Sequence, residues 1–413
     1  MLKWQAFWRM AYGRFVVSAA LTAYFITVRF LVQEHWHAIL INGVVGILQE
    51  VAVVLVGFWI GLFVDWNSRR DVMLFANIAV ALFGWIPAVF LHSELLYVVI
   101  LVIDLILAML GTMEDSAYSA FLKYLMDPTD LPSAEGATAT IGSAAFVIGL
   151  ILSYAGIFVF HFNVVVYFIS NSVAAAIMSI LLLTLPKDTV PKVADRRPRD
   201  MIRKIYGEMV ETIQYIREHS FMKYYMLSVA IGNGGSAVLY ALIIYFIGKA
   251  GGGLGDLWIA GIGVGVGMIG SGVVFTSIIR RVSTLWLTVV ADTASAFALA
   301  MLAVSPSVVW ISVDLAIFYF CMGLSSSAFH TLRVRETPAE LQGRLHSFVA
   351  QSSSVAEVLL VIVASLLGEW FHSIIVSFVF GALTILVGTG LFTIGKLLDR
   401  FSFIDLSVDR AES

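Results

Sequence analysis

Twelve long apolar runs divide the 413-residue chain, and almost every positive charge falls on one side of the membrane they imply. The runs cover about 14–33, 38–63, 71–92, 96–119, 136–160, 164–185, 223–248, 257–279, 284–304, 308–329, 345–371 and 373–395. Each is near the roughly 20 residues a helix needs to cross a bilayer core. With the N-terminus inside, the inner segments hold every Lys and Arg of the 25 except Arg29 and Lys249. Basic residues mark the inner side of a membrane protein, so the count and the orientation are set together, with both termini inside.

Composition agrees. The chain is 60% hydrophobic and 13% charged, and its mean hydropathy is +0.93. A soluble chain carries about 25% charged residues. Backbone groups in lipid must be satisfied within the chain, and the runs lack the alternation of a membrane barrel, so they read as helices. The net charge of -3 says nothing about partners, because the basic residues are topological markers. Nucleic-acid binding is excluded on that ground. The single Cys321 rules out a disulfide framework and a cysteine metal site. The first run is too long for a cleaved signal peptide and reads as a retained start helix.

The one long polar stretch, 186–222, divides the runs six and six. Within it Ile202, Ile205, Met209, Ile213 and Ile216 recur at three- and four-residue spacing. That pattern predicts an amphipathic helix on the inner face. The halves echo each other. Gly61, Arg69 and Arg70 match Gly272, Arg280 and Arg281 at a shift of 211, and Asp104, Pro128 and Leu131 match Asp314, Pro338 and Leu341 at 210. Two such repeats around a midplane site are a common plan of secondary transporters. The expected fold is an all-α membrane protein of twelve transmembrane helices in two six-helix bundles, 1–185 and 223–413, joined by a cytoplasmic linker at 186–222.

The loop Gly61-Leu-Phe-Val-Asp65-Trp-Asn-Ser-Arg69-Arg70 resembles the loop motif of the major facilitator superfamily, with Trp66 where a basic residue is usual and Ser68 where Gly is usual. The stretches Tyr206–His219 and Glu336–Arg344 resemble the drug:proton antiporter branch that includes enterobactin-type siderophore exporters and macrolide effluxers. The resemblance covers nearly the whole chain. It implies the two-bundle fold, alternating access, and a cavity lined by runs one, four, seven and ten. It also implies that Asp65 engages the neighbouring bundle near run eleven. The gating set is then Gly61, Asp65, Arg69, Arg70, Gly343 and Arg344. Exporters of this family often carry Gly-Pro in run five, where Leu150 follows Gly149 here.

Intramembrane acids are costly and usually face the bundle interior or a watery cavity. Asp104, Asp314, Glu50 and Glu357 are therefore the candidates for proton coupling, against the plainer reading of buried ion pairs or hydrogen bonds. Asp314 is the expected carrier, with Asp104 held ionised by Arg29. Asp292 also lies in an apolar run, but run nine is expected to be peripheral. Arg29, Tyr24, Asn233 and Tyr240 are candidate solute contacts, with packing or lipid-facing roles as the alternative. Glu114 and Asp115 read as solvated or paired with loop arginines.

Three further motifs have plain readings. Gly265-Val-Gly-Met-Ile-Gly270 has dinucleotide-loop spacing but lies inside an apolar run, so close helix packing explains it better. Gly142, Gly149 and Gly156, seven apart, share one helix face. Glu34, His35 and His37 could bind a metal, but no further ligand cluster accompanies them, and no metal site or cofactor is expected.

The function expected is proton-coupled efflux of an amphipathic small molecule (a drug, siderophore or natural product) by a monomer in the cell membrane. Proton-symport uptake, or transport of a metal or metal chelate, is the alternative. No nucleophile–base set or phosphate loop supports an enzyme, and a membrane enzyme or sensor is the remote alternative.

Overall fold

The computed structural model describes residues 2–127, 130–158, 163–188, 198–249, 254–279, 281–336 and 342–409. Among these, every regular element is a helix. The first six runs form α1 (Leu2–His35), α2 (Ile39–Gly46) with α3 (Leu48–Trp66), α4 (Arg69–Phe83) with the short α5 (Ile86–Val89), α6 (Leu96–Leu125), α7 (Leu131–Phe158) and α8 (Val165–Leu183). The polar stretch gives α9 (Pro198–Glu218). The last six runs form α10 (Ser220–Lys249), α11 (Leu254–Ile278), α12 (Thr284–Leu302), α13 (Val308–Glu336), α14 (Gln342–Trp370) and α15 (Ile374–Asp409). Among the described residues, ten spans are long and apolar enough to cross a bilayer, α4 with α5 counting as one, and the α2–α3 pair, bent by 50° at Ile47, makes an eleventh. With the 28-residue α7 the chain has the twelve-helix fold.

Two runs differ from the unbroken spans their apolarity suggests. The second breaks at Gly46–Ile47. The third ends at Gly84, just before Pro87 opens the single turn of α5. Proline lacks the N–H an interior turn requires, and it is tolerated only in a first turn. By contrast, Gly232-Asn-Gly-Gly235 does not interrupt α10, which runs through it unbroken.

The chain forms two compact units, Met1–Val193 with Leu242–Gly265, and Ala194–Ala241 with Val266–Ser413. The first thus takes in the 242–265 segment beyond the boundaries read from sequence. The reason is local contact. The Tyr245 hydroxyl donates to the His37 carbonyl at 3.1 Å, and Gly248 lies against the Gln33 side chain.

In the first unit α1 packs along α7 and α8, while α6 packs along α3 and α4. Phe7, Met10, Met73, Phe121 and Leu182 form its inner core. In the second unit α12 packs along α13 and α15. The amphipathic α9 buries Ile216 among Phe221, Tyr225, Leu345 and Phe392. Ile213 is half-buried, and the side chains of Ile202, Ile205 and Met209 lie outside the described residues.

Small residues set the closest approaches. Of the three glycines seven apart, Gly149 sits against the Ala19 carbonyl and Thr22 of α1, Gly142 has open space, and the Gly156 side is outside the described residues. Gly267, within the dinucleotide-like motif, packs on the backbone of α13 at Ala316 and Phe320. Gly235 is as tight, because a Cβ there would also lie 2.5 Å from a backbone carbonyl, that of Gly381. Backbone cannot step aside cheaply. Gly235→Ala is expected to cost about 1–3 kcal/mol by overpacking. The control Gly232→Ala meets nothing within 4 Å and is expected to be neutral or stabilising. Melting temperatures of the two variants in detergent check this contrast.

Candidate functional site

Polar side chains inside apolar helices are placed by helical spacing. On α10, Ser228, Gly232 and Ser236 recur every four residues, and on α13 Met322, Ser326, His330 and Arg333 share a stripe. These stripes converge with polar residues of α12, α14 and α15 on a cavity of about 390 Å³ inside the second unit. Its wall has three kinds of group. Hydroxyls come from Ser228, Ser236, Ser295, Ser326, Ser353 and Thr389. Tyr225, Phe329 and Met322 supply aromatic and soft apolar surface. Asp292, Glu357, His330 and Arg333 supply the ionisable groups.

Within that wall the Arg333 Nη2 lies 2.9 Å from the His330 Nδ1. A guanidinium can only donate, so Nδ1 is the acceptor in this contact. The Ser325 and Thr389 hydroxyls both lie beside the Asp292 carboxylate; Thr389 donates to the Ile385 carbonyl at 2.9 Å, and Ser325 has no hydrogen bond in good geometry among the described residues. The Ser353 hydroxyl is buried without a protein partner. A cavity with unsatisfied donors and acceptors on an aromatic and hydroxyl-rich wall suits a small solute with both polar and apolar parts.

The sequence candidates divide between this cavity and other places. Glu357 and Asn233 line it. Asp292, read from sequence as peripheral, lines it too. Asp314 is outside its wall, hydrogen-bonded to the Ser305 hydroxyl between α12 and α13. Tyr240 donates to the Met322 Sδ at 3.1 Å, one side chain away from the wall. The sequence signal for Asp292 was Ser295, one turn on from it, because two polar groups on one helix face in an apolar run point inward together.

In the first unit, Tyr24 and Asp104 are fully buried and joined, the Tyr24 hydroxyl donating to Asp104 at 2.6 Å. The Tyr24 ring sits edge-on to Phe168. Tyr24 therefore holds an acid and packs a core, and does not face a cavity. Arg29 donates to the Gly46 carbonyl at 2.8 Å, one of the backbone acceptors freed where α2 ends, and its charge also reaches Asp104. Tyr24→Phe would remove a donor from a buried carboxylate. The expected cost is ~1–3 kcal/mol, read as a lower melting temperature in detergent. Glu50 lies on α3, half-buried. His35 stacks on Tyr97 with centroids 3.8 Å apart. Among the described residues no group of three His, Cys, Asp or Glu is placed to hold a metal ion.

The loop after α3 is built around a residue that the sequence does not single out. Asp188, just past α8, is buried at the start of α4. Its carboxylate accepts from the Ser68 hydroxyl at 2.7 Å, the Arg69 N–H at 3.0 Å, the Arg70 N–H at 3.3 Å and the Arg69 guanidinium at 3.3 Å. Arg70 donates to the Leu185 carbonyl at 3.0 Å and pairs with Asp71, which also pairs with Lys187. Ser68, the departure from the usual glycine, is the N-cap of α4. The side chains of Gly61, Asp65, Gly343 and Arg344 lie outside the described residues.

The profile of the Major Facilitator Superfamily matches residues 10–361. The chain belongs to the major facilitator superfamily. It is a multi-pass membrane transporter by that membership, and superfamily members are not enzymes. No curated relative matches it in sequence. Its fold is similar to that of the nucleoside transporter NupG, with a TM-score of 0.70, 12% identity and coverage of 96% of this chain and 98% of that one. It is similar to a D-xylose–proton symporter at 0.69, 13% identity and 93% and 97% coverage. It is also similar to a bacterial homologue of the iron transporter ferroportin at 0.66, 16% identity and 95% and 98% coverage. At these identities the likeness is one of fold.

Proposed function

We propose that this superfamily member exports an amphipathic small molecule (a drug, siderophore or natural product) in exchange for protons, by alternating access. The observation that carries this reading is the second-unit cavity, where Asp292 and Glu357 share a wall with Tyr225, Phe329 and a set of hydroxyls. Acids inside a membrane protein are retained for ion or proton traffic, and the aromatic and hydroxyl surface suits a solute with two faces. The coupling role falls to Glu357 and Asp292 before Asp314, Asp104 or Glu50, because the first two stand where a solute would. Asn233 is the solute contact this geometry favours over Arg29, Tyr24 and Tyr240. The gating role stays with Gly61, Asp65, Arg69, Arg70, Gly343 and Arg344, between bundles at 1–185 and 223–413. The basic residues support cytoplasmic termini, and the reading takes the chain as a monomer in the cell membrane.

The test is a solute panel applied to proteoliposomes that enclose a pH-sensitive dye under an imposed pH gradient. An exported solute collapses the gradient in protein-containing vesicles only. The hydroxyl-rich wall also fits a polar solute taken up by symport, as the D-xylose–proton symporter's name describes for that protein. The sign of the dye change separates the two directions. A panel that moves no protons in either direction rejects proton coupling.

A further inference from the structure

A second cavity, of about 190 Å³, lies inside the first unit. Its inner end is charged. Arg14 of α1 places Nη2 directly on the Asp115 carboxylate of α6. The neighbouring Glu114 carboxylate is 3.7 Å from Nη1, too far for a hydrogen bond. The Arg14 guanidinium is fixed from the other side by the Tyr118 ring, 4.0 Å away, and the Tyr118 hydroxyl is tied to Thr138 of α7 at 2.7 Å. One cation therefore serves two carboxylates, and Asp115 has the better share of it. Asp115 is about half exposed, whereas the Glu114 side chain is only 17% exposed.

The other end of the cavity is neutral and polar. Asn171 of α8 lines it with no exposed surface, and among the described residues neither its amide oxygen nor its amide nitrogen has a hydrogen-bond partner. A buried amide with both ends unsatisfied is rare in folded proteins, and water or a ligand normally meets such groups. The cavity volume corresponds to about six waters at roughly 30 Å³ each. Asn77 of α4 and Gln49 of α3 share the wall. Among the described residues, the charged or titratable groups that reach Glu114 are Arg14, Asp115 and Tyr118.

The geometry points to Glu114 as a proton-binding site of this transporter, reached by water held between Asn171, Asn77 and the Arg14 end of the cavity. The proton leaves a cavity water, joins a Glu114 oxygen, and returns to water when Arg14 is given over to Glu114. Arg14 is the positioning residue, because its choice between the two carboxylates decides whether Glu114 is neutral. The inference does not depend on which solute is carried or on the acids of the second unit.

Dicyclohexylcarbodiimide tests it, since this apolar reagent adds to protonated carboxyls in apolar surroundings and leaves ionised ones alone. The purified full chain in detergent is treated across a pH series, and the modified peptides are mapped by mass spectrometry. Glu114 is expected to be labelled at acidic pH, with labelling falling as pH rises. In Asp115→Asn, Arg14 has only Glu114 to serve. An opposite charge brought into contact shifts a carboxyl by 1–3 pH units, so labelling of Glu114 at a given mid-range pH is expected to fall about tenfold or more. The wild-type profile is decisive even if that variant folds poorly. An unlabelled Glu114 at every pH, or labelling unchanged in a well-folded Asp115→Asn, overturns the assignment. Neither result bears on solute-driven proton flux, so the export reading stands or falls separately.

Discussion

The double variant Asp292→Asn with Glu357→Gln is expected to abolish solute-driven proton flux, down to the level of protein-free vesicles, while solute still binds. Both acids stand on the wall of the second-unit cavity. Arg333 stands on the same wall, its Nη2 2.9 Å from the His330 Nδ1. Asparagine and glutamine keep the shape and hydrogen bonding of the acids but cannot exchange a proton. Tight solute binding alone would not drive transport, because a ligand shifts a conformational balance only by its differential affinity for the two states. Downhill exchange of solute across the same vesicles should therefore survive in the double variant, and the single variants should show which acid carries the coupling. Full pH-driven transport by the double variant would return the role to Asp314, Asp104 or Glu50.

What could be read from sequence, and what could not, follows the reach of each interaction. The twelve helices were legible because a bilayer demands long apolar runs and sorts basic residues to one side. The family was legible in a contiguous loop, Gly61 to Arg70. Of the two breaks, the one after Gly84 is marked in sequence by Pro87. The bend at Ile47 is not, because Gly46, Gln49 and Glu50 beside it are residue types that continuous membrane helices also carry. Tertiary partners were not legible either. Tyr24 read as a solute contact because an aromatic hydroxyl in an apolar helix suits one; only packing shows it buried against Phe168 and bonded to Asp104, 80 residues away. Arg29 was expected to pair with Asp104, and its hydrogen bond to Gly46 depends on the unseen helix break. Glu114 and Asp115 read as solvated or paired with loop arginines because they lie near a helix end; Asp115 is half exposed, and the cation beside both is Arg14, within α1 itself. Asp292 was set aside by its place in the order of helices, although the polar spacing with Ser295 already pointed inward.

Asp188 shows how much a single distant residue can hold, and its removal is the largest structural effect expected. Asp188→Ala should unlock the start of α4. Four donors converge on this carboxylate, two of them backbone N–H groups in the first turn of α4 and one the Ser68 cap. The first turn of a helix has N–H groups that no internal carbonyl can satisfy, and it favours negative charge. Alanine leaves those donors bare where the carboxylate had been buried. With charge-assisted hydrogen bonds contributing about 1.5–3 kcal/mol each, and not additively, a local loss of about 3 kcal/mol is expected. That corresponds to roughly hundredfold faster amide exchange at residues 68–71, read by hydrogen–deuterium exchange in detergent at neutral pH. The pH dependence has a definite sign. Burial pushes the Asp188 carboxyl up, but the donors from Ser68, Arg69 and Arg70 outweigh it and hold the group below its ordinary 3.8. A group lowered on folding contributes fully above its unfolded value and loses that contribution as pH falls through the folded one. Protection of residues 68–71 in the wild-type chain should thus be flat at neutral pH and decline only below about pH 4, while Asp188→Ala should show no such decline. Equal protection in both proteins at neutral pH would mean that Ser68 and Asp71 hold the start of α4 without Asp188.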